Sequence, residues 1–387
     1  MAVKMPRPGF QGTIGILGSG QLGKMLLPIA HRWALDVATM DPSPTAPARA
    51  LAQRFVVGDF SDRDAVLAFG RSVDLLTYEI ESVSVEALQM LADEGLIVRP
   101  APRLLGIIQD KRNQKQFFAD NDLPTLPFTL VDSGAGLQSA PPELPFVFKL
   151  GRGGYDGRGV WLVREESQLA GLPDAPGLVE PLLGGMTEIS VIVARSASGE
   201  VVAYPATEML FHPTANLVET LVSPASLSAA DEARCRTVAI AAAEALGLVG
   251  LMAVEMFVDG EGTVSINECS PRPHNSGHHT IEASPCSQYE QMLRAILDLP
   301  LGAVEPARPA AMVNLLGEEG ALGPARYPGV DEALKLPGVS VHLYGKTETR
   351  PFRKMGHVTA VAETVEQARA LALRARDCIR VTTPENV

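Results

Sequence analysis

The segment F-V-F-K-L-G-R-G-G-Y-D-G-R-G-V-W-L-V, residues 146–163, joins two short apolar runs through a glycine-rich loop. The two runs have the length and composition of β-strands. Lys149 ends the first run, and Arg152 and Arg158 lie in the loop. Glycines let backbone amides approach phosphate oxygens, and the basic side chains add positive charge. The segment predicts a mobile strand–loop–strand cover over the phosphates of a nucleotide, with a plain flexible hairpin as the alternative.

A predicted β-hairpin farther along the chain carries two glutamates. Residues 252–269 read as two strands around a D-G-E-G turn. A four-residue loop pairs Val258 with Thr263, so Glu255 and Glu268 become diagonal neighbours on one face, about 7–8 Å apart between backbones. Two carboxylates in an apolar hairpin repel each other unless a cation lies between them, and oxygen ligands near phosphate favour Mg²⁺, as a pair of ions. A solvated strand face with two unrelated acids is the alternative.

The loop that follows, S-P-R-P-H-N-S-G-H-H at 270–279, presents an arginine, a histidine and an asparagine beside this predicted metal site. Three histidines in six residues also raise the alternative of zinc, although no cysteine or carboxylate stands at the usual ligand spacing. Asn267 is out of phase with the two glutamates in ideal strand pairing. It contributes to the site only if the strand contains a bulge or a twist.

The N-terminal region alternates short apolar runs with amphipathic stretches from residue 13 to residue 100, which is typical of βαβ units around a parallel sheet. A G-x-G-x-x-G at 18–23 lies between a predicted strand and a predicted helix, and Asp41 ends the next strand. This spacing matches the dinucleotide-binding fingerprint. An NAD-dependent oxidoreductase is therefore one hypothesis, and a tight turn without a ligand is another. A further helix is predicted over residues 103–120.

Composition limits the partners of the chain. Its 33 Lys and Arg residues against 45 Asp and Glu residues give a net charge of −12, which disfavours nucleic acid and membrane surfaces as partners. Lys346, Arg350, Arg353 and Lys354 form a local basic cluster suited to phosphate. The four cysteines are far apart and are predicted to be reduced thiols, and the absence of a signal or anchor segment predicts a cytoplasmic protein.

Six segments, taken in order, resemble the N5-carboxyaminoimidazole ribonucleotide synthetase family of the ATP-grasp superfamily. They are GSGQLGKM (18–25), TYEIE (77–81), DKRNQK (110–115), GGYDGRG (153–159), NECSPRPHNSGHHT (267–280) and YGKTETRPFRKMGH (344–357). The resemblance implies an α/β chain, α+β in its later part, with an ATP-grasp fold and a Rossmann-like N-terminal domain that binds no dinucleotide. The predicted domains are residues 1–101, 102–190 with the glycine-rich lid, and 191–387 with the metal site and the substrate-phosphate region.

The same resemblance implies a ligase of purine biosynthesis. ATP and bicarbonate would form carboxyphosphate, and the amino group of 5-aminoimidazole ribonucleotide (AIR) would capture the carboxyl group, directly or as CO₂. The family further implies a homodimer, Mg²⁺ and no covalent cofactor.

By resemblance, Lys111 and Lys149 reach the ATP phosphates, residues 180–183 contact adenine, and Glu188 holds the ribose. The implied metal ligands are Glu255 and Glu268. The complete implied ATP site is Lys111, Lys149, Gly154, Tyr155, Asp156, Gly157, Arg158, Gly159, Glu180, Pro181, Leu182, Leu183, Glu188, His212, Asn267 and Glu268.

The implied AIR site joins the N-terminal domain to the basic cluster. Its residues are Gln21, Leu22, Glu79, Asp156, Asn275, Lys346, Arg353 and Lys354. The implied catalytic residues are Arg272, His274, Asn275 and Asp156. Among them, Arg272 and His274 are expected near bicarbonate or carboxyphosphate.

Two positions depart from the family pattern. His212 is displaced by one residue from the usual Glu-Asn-x-His run, and Phe352 replaces the glycine of Pro-Gly-Arg-Lys. A formate-using sibling ligase that makes formyl glycinamide ribonucleotide is the nearest alternative, although it typically continues SPRPH with D-T-G instead of N-S-G-H. A non-catalytic nucleotide sensor would require damaged metal ligands, and both glutamates are present.

Overall fold

The N-terminal part of the chain folds into an open parallel sheet with helices on both faces. The computed structural model describes residues 10–154, 159–211 and 218–384. The elements are β1 (Thr13–Leu17), α1 (Gln21–Arg32), β2 (Asp36–Asp41), β3 (Arg54–Val57), α2 (Arg63–Gly70), β4 (Leu75–Tyr78), α3 (Val85–Asp93) and β5 (Ile97–Val98). Their order, β3-β2-β1-β4-β5, is that of half a doubly wound sheet, which confirms the predicted Rossmann-like domain. The sequence patterns missed β3, an edge strand with no fully buried residue.

The prediction of one continuous helix over residues 103–120 was wrong. The structure has two helices, α4 (Pro102–Ile108) and α5 (Lys111–Asp120). The chain breaks at Asp110, whose carboxylate accepts the Arg112 N–H and caps α5. Gln109 donates to two backbone carbonyls in the loop after β4, which fixes the position of the break.

A second, antiparallel sheet carries the glycine-rich loop. Its strands are β6 (Thr129–Val131), β7 (Phe146–Leu150), β8 (Val160–Val163) and β9 (Gly177–Pro181), in the order β6-β9-β7-β8. The strands predicted at 146–150 and 160–163 are confirmed. The loop joins β7 to β8, and its residues 155–158 lie outside the described residues. Phe146 and Phe148 anchor a small separate core under this sheet.

The third sheet is antiparallel and continues into the C-terminal region. Its strands are β10 (Thr187–Arg195), β11 (Val201–Ala203), β12 (Thr207–Phe211), β13 (Val218–Ser223), β14 (Gly250–Val258), β15 (Val264–Ser270), β16 (Ala310–Leu316), β18 (Val339–Leu343) and β20 (Lys354–Val361). They follow the order β15-β14-β10-β12-β13-β16-β20-β18, with β11 on β10, and β17 (Gly323–Pro324) pairs separately with β19 (Glu348–Thr349). The helices are α6 (Ala229–Ala245), α7 (Thr280–Ala283), α8 (Gln288–Ile296), α9 (Val330–Ala333) and α10 (Val365–Cys378). The division into three domains at residues 101 and 190 stays a prediction.

One shared core joins the N-terminal sheet to the large sheet. Leu26 and Leu27 of α1 pack in the same buried cluster as Tyr289 and Leu293 of α8. Burial of each such side chain contributes about 1.5–3 kcal/mol, so this contact fixes the first sheet against the third. Within the described part of the chain, no helix is long and apolar enough to cross a membrane. All four cysteines fall in that part and none is paired.

Candidate active site

The glutamate hairpin has a different register from the predicted one. The carboxylate of Asp259 accepts the N–H groups of Glu261 and Thr263, and the turn spans five residues, 259–263, one more than predicted. Val258 therefore pairs with Val264, and Glu255 lies directly opposite Glu268 instead of diagonally. Both glutamates still share one face, so the correction brings the carboxylates closer together.

Asn267 reaches this face because β15 contains a bulge. Pairing shifts between Met256 and Glu255, which leaves Asn267 without an opposing residue. The backbone of Ile266 turns away from the hairpin: its N–H donates to Pro124 O at 2.7 Å, and its carbonyl accepts from Thr125 Oγ1 at 2.8 Å. The bulge that Asn267 needs in order to join the two glutamates is therefore present.

Two lysines from different elements converge on the hairpin. Lys111, the first residue of α5, forms an ion pair with Glu268, and Lys149 at the end of β7 donates to Asn267 Oδ1 at 2.6 Å. Burial and the nearby Lys149 ammonium lower the pKa of Lys111 to about 8. The predicted phosphate lysines and the predicted metal ligands thus form one cluster.

Behind this cluster, a buried carboxylate is shared by two lysines. Glu180 of β9 forms ion pairs with Lys149, at 2.5 Å, and with Lys115 of α5, and the Glu180 and Lys115 side chains are each 2% exposed. Lys115 also donates to Thr125 Oγ1 at 2.6 Å. Burial opposes ionisation, yet the two ammonium groups hold the pKa of Glu180 below its usual value. The Glu180 side chain therefore faces the lysines, which leaves its backbone and residues 181–183 for the predicted adenine contacts. Lys115 was not among the residues predicted for the site.

Glu188 lies on the same face as the metal pair. In β10, Ser190 is paired with Glu255, and Glu188 lies two residues away with the same side-chain direction. Burial and the Glu255 carboxylate raise the pKa of Glu188 to about 7, although Lys149 opposes the shift. Burial also raises the pKa of Glu255. The face is therefore rich in desolvated acids whose charge a cation would neutralise.

The proline-braced loop after β15 aims His274 at this face. Its Nε2 lies 3.3 Å from Glu255 Oε1. Its Nδ1 accepts the Ser276 N–H at 3.3 Å and lies 2.9 Å from Ser276 Oγ, which in turn lies 2.7 Å from Ser190 Oγ. Because Nδ1 is an acceptor, the proton of neutral His274 is on Nε2, facing the carboxylate.

Two further side chains of this loop connect it to other elements. Arg272 forms an ion pair with Glu81 at 3.0 Å, in the loop after β4. Asn275 exchanges two amide hydrogen bonds of 3.0 Å with Asn314 of β16. Glu81 belongs to the TYEIE segment, so its position was accessible from sequence, whereas no sequence signal pointed to Asn314.

Two backbone amides of the glycine turn at residues 18–23 are already bound to a carboxylate. The carboxylate of Glu79 accepts the N–H groups of Gly20 and Gly23 at the start of α1. A Cβ on Gly18 would lie 2.4 Å from Glu79 Cγ, so this position has room only for glycine. Burial raises the pKa of Glu79 to about 7 despite both amide hydrogen bonds. The protein's own carboxylate fills the place that the phosphate of a dinucleotide would need, which argues against the oxidoreductase hypothesis.

The C-terminal basic cluster lies close to this turn and to the metal pair. Lys24 of α1 donates to Leu343 O at 2.8 Å, which places the start of α1, with Gln21, beside the end of β18. Lys346 donates to Lys354 O at 2.7 Å, and the charge of Lys354 opposes the rise in the pKa of Glu255 that burial causes. The structure thus brings together Gln21, Glu79, Lys346 and Lys354. Leu22 packs its side chain into the core, and Arg353 donates to Glu348 O at 2.8 Å.

The remaining predicted residues divide into two sets. Gly154, Gly159, Pro181, Leu182 and Leu183 lie along the second sheet and its loop. Tyr155, Asp156, Gly157, Arg158 and His212 lie outside the described residues. Across the described ranges, no cluster of three or more His, Cys, Asp and Glu side chains is placed to hold a metal ion, which argues against the zinc alternative. Two carboxylates with an amide oxygen fit Mg²⁺ better, because Mg²⁺ takes its other ligands from phosphate and water.

Comparison with known proteins gives three family matches along the chain. The ribonucleotide synthetase preATP-grasp domain matches residues 11–109, and the ATP-grasp domain matches residues 116–289. The phosphoribosylaminoimidazole carboxylase C-terminal domain matches residues 310–371.

Individual relatives extend over nearly the whole chain. The N5-carboxyaminoimidazole ribonucleotide synthase of Bacillus subtilis is 34% identical over 95% of this chain and 95% of its own. The crystal structure of the Thermotoga maritima synthetase superposes with a TM-score of 0.87, at 39% identity over 96% of this chain and 100% of that one. An Aspergillus clavatus synthase, solved with ADP and AIR, gives a TM-score of 0.85 at 31% identity, over 94% and 98% of the two chains. This chain therefore belongs to the N5-carboxyaminoimidazole ribonucleotide synthase family, ATP-dependent ligases of purine biosynthesis built on the ATP-grasp fold.

Proposed function

We propose that this chain carboxylates the amino group of AIR with bicarbonate, at the expense of ATP, in the cleft between its three sheets. The observation that carries this proposal is the meeting of three groups of residues: the phosphate lysines, the Glu255–Glu268 pair and the loop with His274. The basic cluster adjoins them through Lys354. A site for ATP, a site for a small anion and a site for a phosphorylated substrate are thereby adjacent.

ATP binds at the phosphate lysines. Lys111 and Lys149 exchange their present partners, Glu268 and Asn267, for phosphate oxygens. Glu180 and Lys115 stay in the interior and keep Lys149 at the cleft wall. Glu255, Glu268 and Asn267 would hold Mg²⁺, which neutralises charge on the phosphates when bound.

The reaction joins two steps at this place. A bicarbonate oxygen attacks the γ-phosphorus, ADP leaves, and carboxyphosphate forms. The amino nitrogen of AIR then attacks the carboxyl carbon, or CO₂ released from it, while phosphate leaves and the nitrogen loses a proton. Arg272 and His274 orient the bicarbonate and carboxyphosphate, and Asn275, held by Asn314, contacts AIR. The resemblance adds Asp156 to the residues that act on AIR.

The glycine-rich loop excludes water while carboxyphosphate exists. Gly153 and Gly159, one before and one after residues 155–158, have φ values of +82° and +79°. Only glycine adopts these angles without strain, so the two positions are suited to act as hinges. Gln21, Glu79, Lys346, Arg353 and Lys354 receive AIR, with the basic side chains on its phosphate.

The test measures the incorporation of bicarbonate carbon into the product together with the release of ADP. The purified chain with ATP, Mg²⁺, AIR and ¹³C-bicarbonate should form an acid-labile labelled product and one ADP per carboxyl group. ATP hydrolysis that is unchanged by AIR, or product carbon that comes from formate, contradicts the proposal. A cytoplasmic homodimer is part of the same proposal, and sedimentation velocity measures its oligomeric state.

A further inference from the structure

The side chain of Gln288 is buried directly behind the loop that carries His274. Gln288 is the first residue of α8 and is 0% exposed. Its own N–H donates to Thr280 Oγ1 at 2.9 Å, which fixes its backbone. No role follows for it from the resemblance or from the reaction described above.

The amide of Gln288 binds both sides of one residue. Its Oε1 accepts the His274 N–H at 2.9 Å, and its Nε2 donates to the His274 carbonyl at 2.8 Å. The second Nε2 proton points to His278 Nδ1 at 3.0 Å. These partners also determine the amide orientation, since the opposite orientation would place NH₂ against an N–H and oxygen against a carbonyl.

The loop packs closely against the Gln288 amide. A Cβ on Gly277 would lie 2.5 Å from Gln288 Oε1, so the loop approaches the amide as closely as glycine allows. Tyr289 OH also lies 3.0 Å from His278 Nδ1. The hydrogen bonds of Gln288 and the close packing around it therefore hold the loop from His274 to His278 in one conformation.

We infer that Gln288 is a positioning residue for the reaction: it holds the His274 backbone so that the imidazole Nε2 meets Glu255 at the reacting end of the cleft. This inference rests on the proposed function, because His274 has a role only if bicarbonate or carboxyphosphate is bound there. Ser276 orients the ring and Gln288 orients the backbone from which the ring projects. Both are needed, since a displacement of about 1 Å at a reacting group can cost about 100-fold in rate.

The chain contains a matched control on the same helix. Gln291 is also 0% exposed, and it also binds both sides of one residue, Gly302, whose N–H lies 2.8 Å from Oε1 and whose carbonyl lies 3.1 Å from Nε2. Gly302 contacts none of the proposed site residues in the hydrogen bonds described. Gln288→Leu and Gln291→Leu therefore each remove two hydrogen bonds to the backbone of one residue from equally buried positions. Each also removes one side-chain contact, with His278 Nδ1 for Gln288 and with the Cys286 thiol for Gln291.

The experiment compares these two variants with the wild-type chain. Gln288→Leu should lower kcat by about 10–100-fold and change KM for ATP by less than about threefold, as expected for a residue that orients a reacting side chain. Gln291→Leu should keep kcat within about threefold, even if both lose equal thermal stability. Ring ¹H–¹⁵N spectra of His274 and His278, recorded without substrates, should change in Gln288→Leu alone.

Each other outcome is decisive. Equal kcat in the two variants overturns the inference, and so does a Gln288→Leu variant that loses ATP affinity in proportion to kcat. If Gln288→Leu does not fold, Gln288→Glu is judged by the same criteria, and unfolding of both while Gln291→Leu folds assigns Gln288 a purely structural role. A wild-type chain without carboxylation activity refutes the proposed function instead.

Discussion

The turn at residues 18–23 and the loop at residues 151–159 are both rich in glycine, and each lies near a carboxylate that binds N–H donors. The donors are backbone amides at the turn and a lysine near the loop. The two carboxylates differ in their exposure to solvent. In the turn, Glu79 is 8% exposed and is held by two backbone amides. Beside the loop, the Glu268 side chain that pairs with Lys111 is 33% exposed. The Glu79 carboxylate occupies the two amides that a dinucleotide phosphate would need, whereas the partner of Lys111 lies at an open cleft, where phosphate can replace it. Glycine content alone does not distinguish the two cases.

The largest expected effect is at the open cleft. Glu268→Gln removes a charge from the predicted metal pair, so turnover should be abolished while the thermal midpoint stays close to that of the wild type. Steady-state ADP release and calorimetry measure the two quantities. Glu261→Gln, at the tip of the same hairpin, is the control and should keep full activity. Near-normal kcat in Glu268→Gln would show that the cleft is not the metal site.

The interior pair behind the cleft should respond mainly in stability. Lys115→Met leaves Glu180 buried with one ammonium group instead of two, which should lower the free energy of unfolding by about 3 kcal/mol, the lower end of the range for a broken buried ion pair, because Lys149 still compensates the carboxylate. KM for ATP should also rise, because Glu180 then attracts Lys149 alone. Denaturant unfolding and initial rates measure these effects.

The double variant Lys115→Met/Glu180→Gln is the control for this prediction, and it should recover part of the lost stability because the buried carboxylate charge is removed, while Lys149 keeps its hydrogen bond to Asn267. A loss below 1 kcal/mol in the single variant would contradict the role of Lys115.

The closed turn should give a smaller and pH-dependent effect. Glu79→Gln replaces one of the two amide acceptors with a donor and should cost about 1–3 kcal/mol at pH 5. The pKa of Glu79 is raised to about 7, so the native state holds a proton that the unfolded state loses above its usual pKa of 4.5. The stability of the wild type relative to Glu79→Gln should therefore fall as the pH rises from 5 to 7.

Denaturant unfolding across this pH range measures the difference. Glu86→Gln, an exposed carboxyl on α3, should keep the wild-type pH dependence. A wild type that gains stability over Glu79→Gln as the pH rises would contradict the raised pKa. Titration with NADH should leave the fluorescence of the coenzyme unchanged with either form.

The smallest effect concerns a turn that has lost its glycine. Phe352 replaces the glycine of the family pattern, yet its φ of +61° keeps the left-handed conformation that glycine favours. This conformation destabilises the folded state by about 1–2 kcal/mol for a bulky residue. Glycine removes that strain, but its greater freedom in the unfolded chain offsets about 0.4–1 kcal/mol of the gain. Phe352→Gly should thus raise the free energy of unfolding by roughly 0.5–1 kcal/mol.

Thermal unfolding measures this change, and Phe352→Ala is the control because it removes the ring but keeps the strain. Equal stability of the Gly and Ala variants would show that the backbone conformation costs nothing. The positive φ of Phe352 shows that the turn keeps its conformation without glycine, and the charges of Arg353 and Lys354 are kept as well.

Sequence predicted local features well wherever a short segment decides them. The strands at 146–150 and 160–163 and the parallel N-terminal sheet were all predicted correctly, because alternating and apolar runs reflect burial directly. The long helix at 103–120 was wrong because a capping aspartate ended it internally. The predicted hairpin register was wrong by one residue at the turn and by one more at the bulge. At the turn the cause is the Asp259 side chain, which binds two backbone N–H groups, and at the bulge it is Ile266, whose backbone binds Pro124 and Thr125. Strand alternation shows neither contact.

The sequence by itself determined the family, the sign of the net charge and the acids and lysines that form the cleft. Only the tertiary structure decided that Glu79 closes the glycine turn, that Lys115 and Lys149 share Glu180, and that Gln288 holds His274. These contacts join residues 14 to 65 positions apart in the chain. Their partners are selected by packing between sheets, and packing depends on the whole chain, so no local pattern of residues encodes them.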